Sequence, residues 1–144
     1  MKKRIISFFS SFLLIAAVLL LNFDLSAFAV EKSGTVTVGK NSIMKQAALA
    51  IPRSGRYSYA SVRADSVYPV GNYDEDNYTQ CLTRIYHNTI GNKPISDIYK
   101  LTEGYGYYKI YFYDGWNNVS VFDLCFAGNN PNLSAHIAYT YDGN

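Results

Sequence analysis

The sequence predicts an all-β fold, an antiparallel β-sandwich of about eight short strands. Segments in which apolar and polar residues alternate recur along the chain, and they are rich in aromatic and β-branched residues. Segments rich in Gly, Pro and Asn separate them. Alternation with a period of two residues is the pattern of a half-buried strand, and closely spaced turns join such strands into antiparallel sheets.

The start of the chain is typical of a secretory signal peptide. Lys2 to Arg4 form a basic start, Phe12 to Leu21 are uninterruptedly apolar, and Ala27 to Ala29 place small residues where a signal peptidase cleaves. The apolar run is shorter than the about 20 residues of a membrane span. An uncleaved anchor over Ile5 to Leu21 is the alternative. We expect residues 1–29 to be removed and residues 30–144 to form a single secreted domain.

The charge of the predicted mature chain is balanced. Of the 13 basic and 11 acidic residues, Lys2, Lys3, Arg4 and Asp24 lie in the leader, which leaves equal numbers of each sign. A chain without net charge has no long-range attraction for nucleic acids or for anionic membranes. We therefore expect no nucleic-acid partner and no membrane contact after cleavage; the sequence does not predict an oligomeric state.

Most strands follow directly from the alternation. One segment, Ser42 to Ile51, is ambiguous because Ala47 to Ala50 favour a helix. It is short and ends at Pro52, so a strand is the preferred prediction. The remaining strands outside the centre of the chain are predicted at Gly34 to Gly39, Tyr57 to Ala64, Val67 to Val70, Tyr78 to Tyr86, Ile95 to Leu101 and His136 to Tyr141.

The most regular alternation lies in Tyr105 to Tyr113 and in Val119 to Phe126. A Gly-containing loop, Asp114 to Asn118, connects the two segments. Two alternating runs with such a loop between them are typical of a β-hairpin. We therefore predict that these two strands pair with each other.

The two cysteines of an exported protein predict one disulfide, between Cys81 and Cys125. A loop of this length would stabilise the fold by about 4 kcal/mol. Neither cysteine lies in a Cys-x-x-Cys pair, so a reactive thiol has little support. The alternation raises one conflict: Cys125 falls opposite Phe122, whereas Cys81 shares the side of Ile85. A wrong assignment, a bulge, or a strand covered on both faces would resolve it.

Tyrosine dominates the chain, and all 14 tyrosines follow the leader. In several strands the tyrosines share one side with Arg or Lys, and a side that carries such cations usually faces solvent. Tyrosine combines a flat apolar ring with a hydroxyl group, which suits it to sugars and to protein surfaces. The alternative is that these rings pack on each other simply as good strand residues. The candidate binding residues are Tyr57, Tyr59, Tyr107, Lys109, Tyr111, Tyr113 and Trp116.

Trp116 lies in the loop of the predicted hairpin, next to Gly115 and two asparagines. An exposed tryptophan on a loop is a common recognition device. The alternative is that Trp116 folds back and covers one end of the sandwich.

Catalytic and metal-binding motifs are missing from the sequence. His87 and His136 stand alone, and no nucleophile elbow, zinc motif or phosphate loop occurs. Asp74 to Asp76 are better explained as a solvated loop than as a calcium site. Asp123 is either a buried carboxylate or, more simply, a charge on the solvent side of its strand. We expect no enzyme activity, no cofactor and no metal.

These observations favour a secreted, non-catalytic binding module of a bacterium that recognises a glycan or a protein at a cell surface. The alternative is a secreted effector, such as a small antimicrobial protein or an enzyme inhibitor. Both need only a compact exported domain, and no motif in the sequence identifies a family.

Overall fold

The computed structural model describes residues 31–53, 57–71, 78–90 and 93–143. The predicted signal peptide and the acidic run Asp74 to Asp76 lie outside these ranges. Within them, no helix has the length and the apolar composition that crossing a membrane requires.

In the described part of the chain, eight antiparallel strands form two four-stranded sheets that pack face to face. Sheet A has the order β1-β8-β3-β6, and sheet B has the order β2-β7-β4-β5. The predicted all-β sandwich is therefore confirmed. The strands are β1 Lys32–Val38, β2 Lys45–Pro52, β3 Tyr59–Pro69, β4 Gln80–His87, β5 Tyr99–Thr102, β6 Tyr108–Tyr111, β7 Val121–Gly128 and β8 Ala135–Asp142.

Most strands follow the predictions, but β5, Tyr99–Thr102, covers only the end of the predicted strand Ile95 to Leu101. The ambiguous segment Ser42 to Ile51 is a strand, β2, as preferred. The segments Tyr57 to Ala64 and Val67 to Val70, predicted as two strands, belong to one long strand, β3. A register shift between Ala64 and Ser66 joins them, because the bulge inserts an extra residue without ending the pairing with β8.

The core lies between the two sheets and is built from alternate residues of each strand. In β3, Ala60, Val62 and Ala64 are buried, while Ser61 and Arg63 are partly exposed on the outer side. This is the period-two pattern from which the strand was predicted. The two inner rows make one continuous apolar cluster.

The prediction that Tyr105 to Tyr113 and Val119 to Phe126 pair as a hairpin is wrong. β6 pairs with β3 in sheet A, whereas β7 pairs with β2 and β4 in sheet B. The connection from Phe112 to Ser120 carries the chain from one sheet to the other. Phe112 and Phe122, which follow β6 and begin β7, meet across the core with ring centroids 5.5 Å apart. The two segments therefore face each other and do not lie side by side.

The predicted disulfide is also not formed, and Cys81 and Cys125 are both free buried thiols. On the paired strands β4 and β7, Cys81 lies opposite Gly128, while Cys125 lies opposite Arg84. Since directly opposite residues point to the same side, Cys125 shares the outer side of Arg84, and Cys81 points into the core. Thiols on opposite sides of one sheet cannot be bridged without moving the backbone.

The conflict between the two cysteines is resolved because β7 is covered on both faces. Every residue from Phe122 to Gly128 is buried. Phe122, Leu124 and Phe126 belong to the core between the sheets. Cys125, on the outer side, borders a groove of about 420 Å³ lined also by Ile43, Met44, Gln46 and Tyr86.

Asp123 lies on the same outer side of β7 and is only 2% exposed. The interpretation of a solvent-facing charge is therefore wrong. Its carboxylate accepts hydrogen bonds from the Ala50 backbone N–H at 2.9 Å, from Gln46 Nε2 at 3.1 Å and from Asn88 Nδ2 at 2.7 Å. These bonds tie the irregular strand β2 and the end of β4 to the centre of sheet B.

Candidate binding surface

The outer face of sheet A carries five of the seven predicted binding residues, and it brings four of them into contact. In the paired strands β3 and β6, Tyr59 lies opposite Tyr111, and Ser61 lies opposite Lys109. Opposite residues point to the same side, so Tyr59, Tyr111 and Lys109 share the outer face. Tyr57 precedes β3 and packs on Tyr59. We call Tyr57, Tyr59, Lys109 and Tyr111 the tyrosine cluster.

The rings of the tyrosine cluster contact one another in sequence. Tyr57 and Tyr59 are stacked with centroids 5.2 Å apart, and Tyr59 and Tyr111 meet edge to face at 5.5 Å. The Lys109 ammonium lies 4.8 Å from the centroid of Tyr59. Tyr57 and Tyr111 are 42% and 49% exposed. The cluster is thus an ordered aromatic surface that stays open to solvent.

Arg53 holds the backbone beneath this cluster. Its guanidinium donates hydrogen bonds to the carbonyl oxygens of Tyr57 and Asn117 and lies 4.5 Å from the ring centroid of Phe112. The Phe112 N–H donates to the Ser58 carbonyl at 2.9 Å, which extends the pairing of β3 with β6. Burial lowers the pKa of Arg53 from its usual value. The Arg53 side chain therefore links the backbone at Tyr57 to the loop that contains Asn117.

Tyr107 lies on the same outer face but outside the tyrosine cluster. The Arg63 guanidinium lies 4.9 Å from its ring centroid and forms an ion pair with Asp65 at 2.6 Å. Desolvation and a hydrogen bond with Glu31 raise the pKa of Tyr107. Tyr107 thus belongs to a polar network in the middle of the face.

Tyr113 points away from this surface. Its hydroxyl accepts a hydrogen bond from Arg84 Nη2 at 3.1 Å and donates one to the Asp97 carboxylate at 2.9 Å. Arg84 lies on sheet B, so the tyrosine that follows β6 bridges to the other sheet. The sequence placed Tyr113 in phase with Tyr111, but the chain leaves sheet A between them.

Trp116 is half-buried and packs against the core. Its ring meets His87 edge to face at 5.1 Å, and the Lys93 ammonium lies 4.7 Å from its centroid. Of the two alternatives for Trp116, the structure has the one in which the loop folds back onto the sandwich.

A second aromatic pair on the outer face of sheet A was not among the predicted site residues. Tyr68 of β3 lies opposite His136 of β8, with ring centroids 5.1 Å apart. His136 Nδ1 is 2.8 Å from Thr37 Oγ1. A shallow cavity of about 170 Å³ lies beside the pair, and Ser66 also lines it. Only the pairing of strands distant in sequence brings Tyr68 and His136 together, which alternation within one strand does not reveal.

The chemistry that these groups offer is stacking and hydrogen bonding. Across the described ranges, no three His, Cys, Asp or Glu side chains are close enough to hold a metal ion. The buried Asp123 carboxylate lies on sheet B, among amide and backbone donors. It therefore does not share a site with the aromatic surface.

No family model, curated protein or solved structure matches the chain.

Proposed function

We propose that this protein is a secreted, non-catalytic binding module that recognises a glycan or a protein at a cell surface, with a glycan as the favoured ligand. The observation that carries the proposal is the tyrosine cluster, in which the rings of Tyr57, Tyr59 and Tyr111 contact one another on an open face. The predicted leader supports export. The bacterial origin is proposed from the same leader and the small size of the domain.

The cluster suits sugar rings for physical reasons. A tyrosine ring offers a flat apolar surface to the C–H side of a sugar, and its hydroxyl exchanges hydrogen bonds with sugar hydroxyls. The Lys109 ammonium adds three donors beside the rings. Because the rings already pack on one another, little side-chain freedom is lost when a ligand binds.

A glycan array tests the proposal with the wild-type protein and two variants. We expect Tyr111→Ala to weaken binding by about tenfold or more, since truncating an aromatic residue that anchors a ligand typically costs about 2 kcal/mol or more. Tyr105→Ala is the matched control, because Tyr105 is a more exposed tyrosine, at 77%, and lies outside the cluster. It should bind as the wild type does.

Two results would contradict the proposal that the tyrosine cluster binds a glycan. If Tyr111→Ala and Tyr105→Ala bind glycans equally well, the cluster is not the site. If no glycan is bound, pull-down from the surface of the producing cell then decides for a protein ligand, again with Tyr111→Ala as the variant that should lose it.

A further inference from the structure

The outer face of sheet A carries aromatic side chains along its whole length. β3 presents Tyr59 and Arg63 on this side, and after the bulge it presents Tyr68. The tyrosine cluster lies where β3 begins, and the pair of Tyr68 with His136 lies where β3 ends. Tyr68 is 42% exposed, as Tyr57 is at the other end.

The two aromatic groups are far apart. Ser61 lies opposite Asp142 and Tyr68 lies opposite His136, so the distance between them corresponds to six steps along β8. Two further steps along β3 lead from Ser61 to Tyr59, so at a rise of about 3.3 Å per residue Tyr59 and Tyr68 lie about 26 Å apart. One or two sugar units cannot contact both groups, whereas an extended chain can.

Hydrogen-bonding side chains lie between the aromatic groups: Ser33, Arg63 and Asp65 are at least partly exposed, while Thr140 is buried. Thr140 Oγ1 donates to the Asp65 carboxylate at 2.7 Å and lies 3.0 Å from Ser33 Oγ. Arg63 pairs with Asp65 and lies over the ring of Tyr107. The middle of the face is thus polar and carries one further aromatic ring, that of Tyr107.

The charges on this face are mixed. Among the described residues of this face, Arg63 and Lys109 are positively charged, as is Arg53 beneath the tyrosine cluster. Glu31, Asp65 and Asp142 are the acids that lie among or beside them. Charges of both signs at short spacing leave no field of one sign to attract a polyanion. The face therefore complements a ligand that is rich in hydroxyl groups and carries no net charge.

We propose that the outer face of sheet A binds an extended, uncharged polysaccharide that lies along β3, with Tyr68 and His136 as a second subsite. This inference rests on the proposed function, since the tyrosine cluster is its first subsite. A chain that occupies both subsites gains affinity because its second contact is intramolecular.

The test compares disaccharides with the matching soluble polysaccharides, in glucose, N-acetylglucosamine and mannose series. We expect the wild-type protein to bind one polymer at least about tenfold more tightly than its disaccharide. Tyr68→Ala should remove most of that advantage, and it should weaken disaccharide binding less than Tyr111→Ala does. Tyr111→Ala should weaken both, and Tyr105→Ala should weaken neither.

His136→Ala is the second variant at the far subsite and should behave as Tyr68→Ala does. Both side chains lie on the outer face, and circular dichroism checks that the variants keep the fold. If both variants bind polymer and disaccharide as the wild type does, the second subsite is refuted, while the proposed function stands. A preference for heparin or alginate over every neutral polymer overturns the uncharged ligand. If no saccharide of any length binds, the inference fails together with the glycan ligand of the proposed function.

Discussion

Ala50 adopts a backbone conformation that residues with a Cβ atom rarely adopt, with φ of 51°. Such a left-handed conformation costs a non-glycine residue about 1–2 kcal/mol. The surrounding contacts explain why it persists: the Ala50 N–H donates to the buried Asp123 carboxylate, and β2 is irregular on both sides of Ala48. Local strain here is offset by hydrogen bonds to a carboxylate that would otherwise be buried with fewer partners.

We expect Ala50→Gly to stabilise the protein by about 0.5–1 kcal/mol, because glycine adopts a positive φ without steric cost. The Ala50 side chain is exposed, so no core contact is lost. Urea unfolding measures the change. Ala138→Gly is the matched control, since Ala138 also lies in a strand, β8, but does not have a positive φ. The free energy of unfolding of Ala138→Gly should be lower than that of the wild type by about 0.5–1 kcal/mol. Equal losses in the two variants would show that the positive φ of Ala50 is not a source of strain.

At the level of single residues, the sequence indicated which side chains alternate but not what covers them. Asp123 shows the limit. Its neighbours Phe122 and Leu124 are apolar, and a charge between apolar residues on a strand normally faces water. It is buried because Ala50, Gln46 and Asn88 reach it from β2 and from the end of β4. Donors so distant in sequence leave no local signal.

At the level of elements, the positions of the strands were predictable, and their partners were not. Period-two alternation is a property of one strand and its burial, so β3, β4, β7 and β8 are visible in the sequence. Pairing is decided by the path of the connections. The Phe112 to Ser120 connection crosses from sheet A to sheet B, although its length and its Gly115 also suit a hairpin.

The same limit explains why the predicted disulfide is wrong. Two cysteines in an exported chain predict a bridge from composition alone. Whether they meet depends on the register of β4 against β7 and on the side that each thiol faces. Cys81 is a core residue, and Cys125 is covered from the outside of sheet B.

We therefore expect the native protein to keep two reduced thiols that react slowly. Burial raises the pKa of the Cys81 thiol to about 12, and burial together with the Asp123 carboxylate raises the pKa of the Cys125 thiol to about 12. Almost no thiolate, the reactive form, is present near neutral pH. Iodoacetamide labelling followed by mass spectrometry measures the reaction, with urea-unfolded protein as the fully reactive control.

The two thiols should also differ in rate. Cys125 borders the groove beside Ile43 and Met44, whereas Cys81 has no exposed surface. We expect Cys125 to be alkylated first, and Cys125→Ala to leave a native protein that is nearly inert. A native mass two units below that of the reduced chain would show a disulfide and would contradict this prediction.

At the level of the whole molecule, the candidate surface was partly predictable. Tyr59, Lys109 and Tyr111 were found because they alternate in phase with solvent-facing residues, and the pairing of β3 with β6 then places them together. Tyr113 and Trp116 leave this surface because the chain crosses between the sheets after β6. The far pair of Tyr68 and His136 requires the register of β3 against β8.

The packing of the sandwich also sets how its stability depends on pH. The buried thiols of Cys81 and Cys125 have pKa values of about 12, raised from 9.0. Burial likewise raises the pKa of Tyr78 and Tyr139 above the usual value of 10.0. A group whose pKa is higher in the folded state favours folding at pH values below its unfolded pKa. That contribution is lost as the pH rises towards the folded pKa, because the unfolded chain releases its proton first.

We therefore expect stability to be nearly constant from pH 7 to 8.5 and to fall from about pH 9 upwards. Between pH 9 and pH 12 each buried thiol should contribute a slope of about 1.4 kcal/mol per pH unit, and the tyrosines should steepen it above pH 10. Urea unfolding at fixed pH values up to 10.5, in the presence of a reductant, measures the slope. The double variant Cys81→Ala and Cys125→Ala should be less stable at pH 7 but should lose less stability between pH 8.5 and 10. An unchanged slope in that variant would show that the thiols are not protected from ionisation in the folded protein.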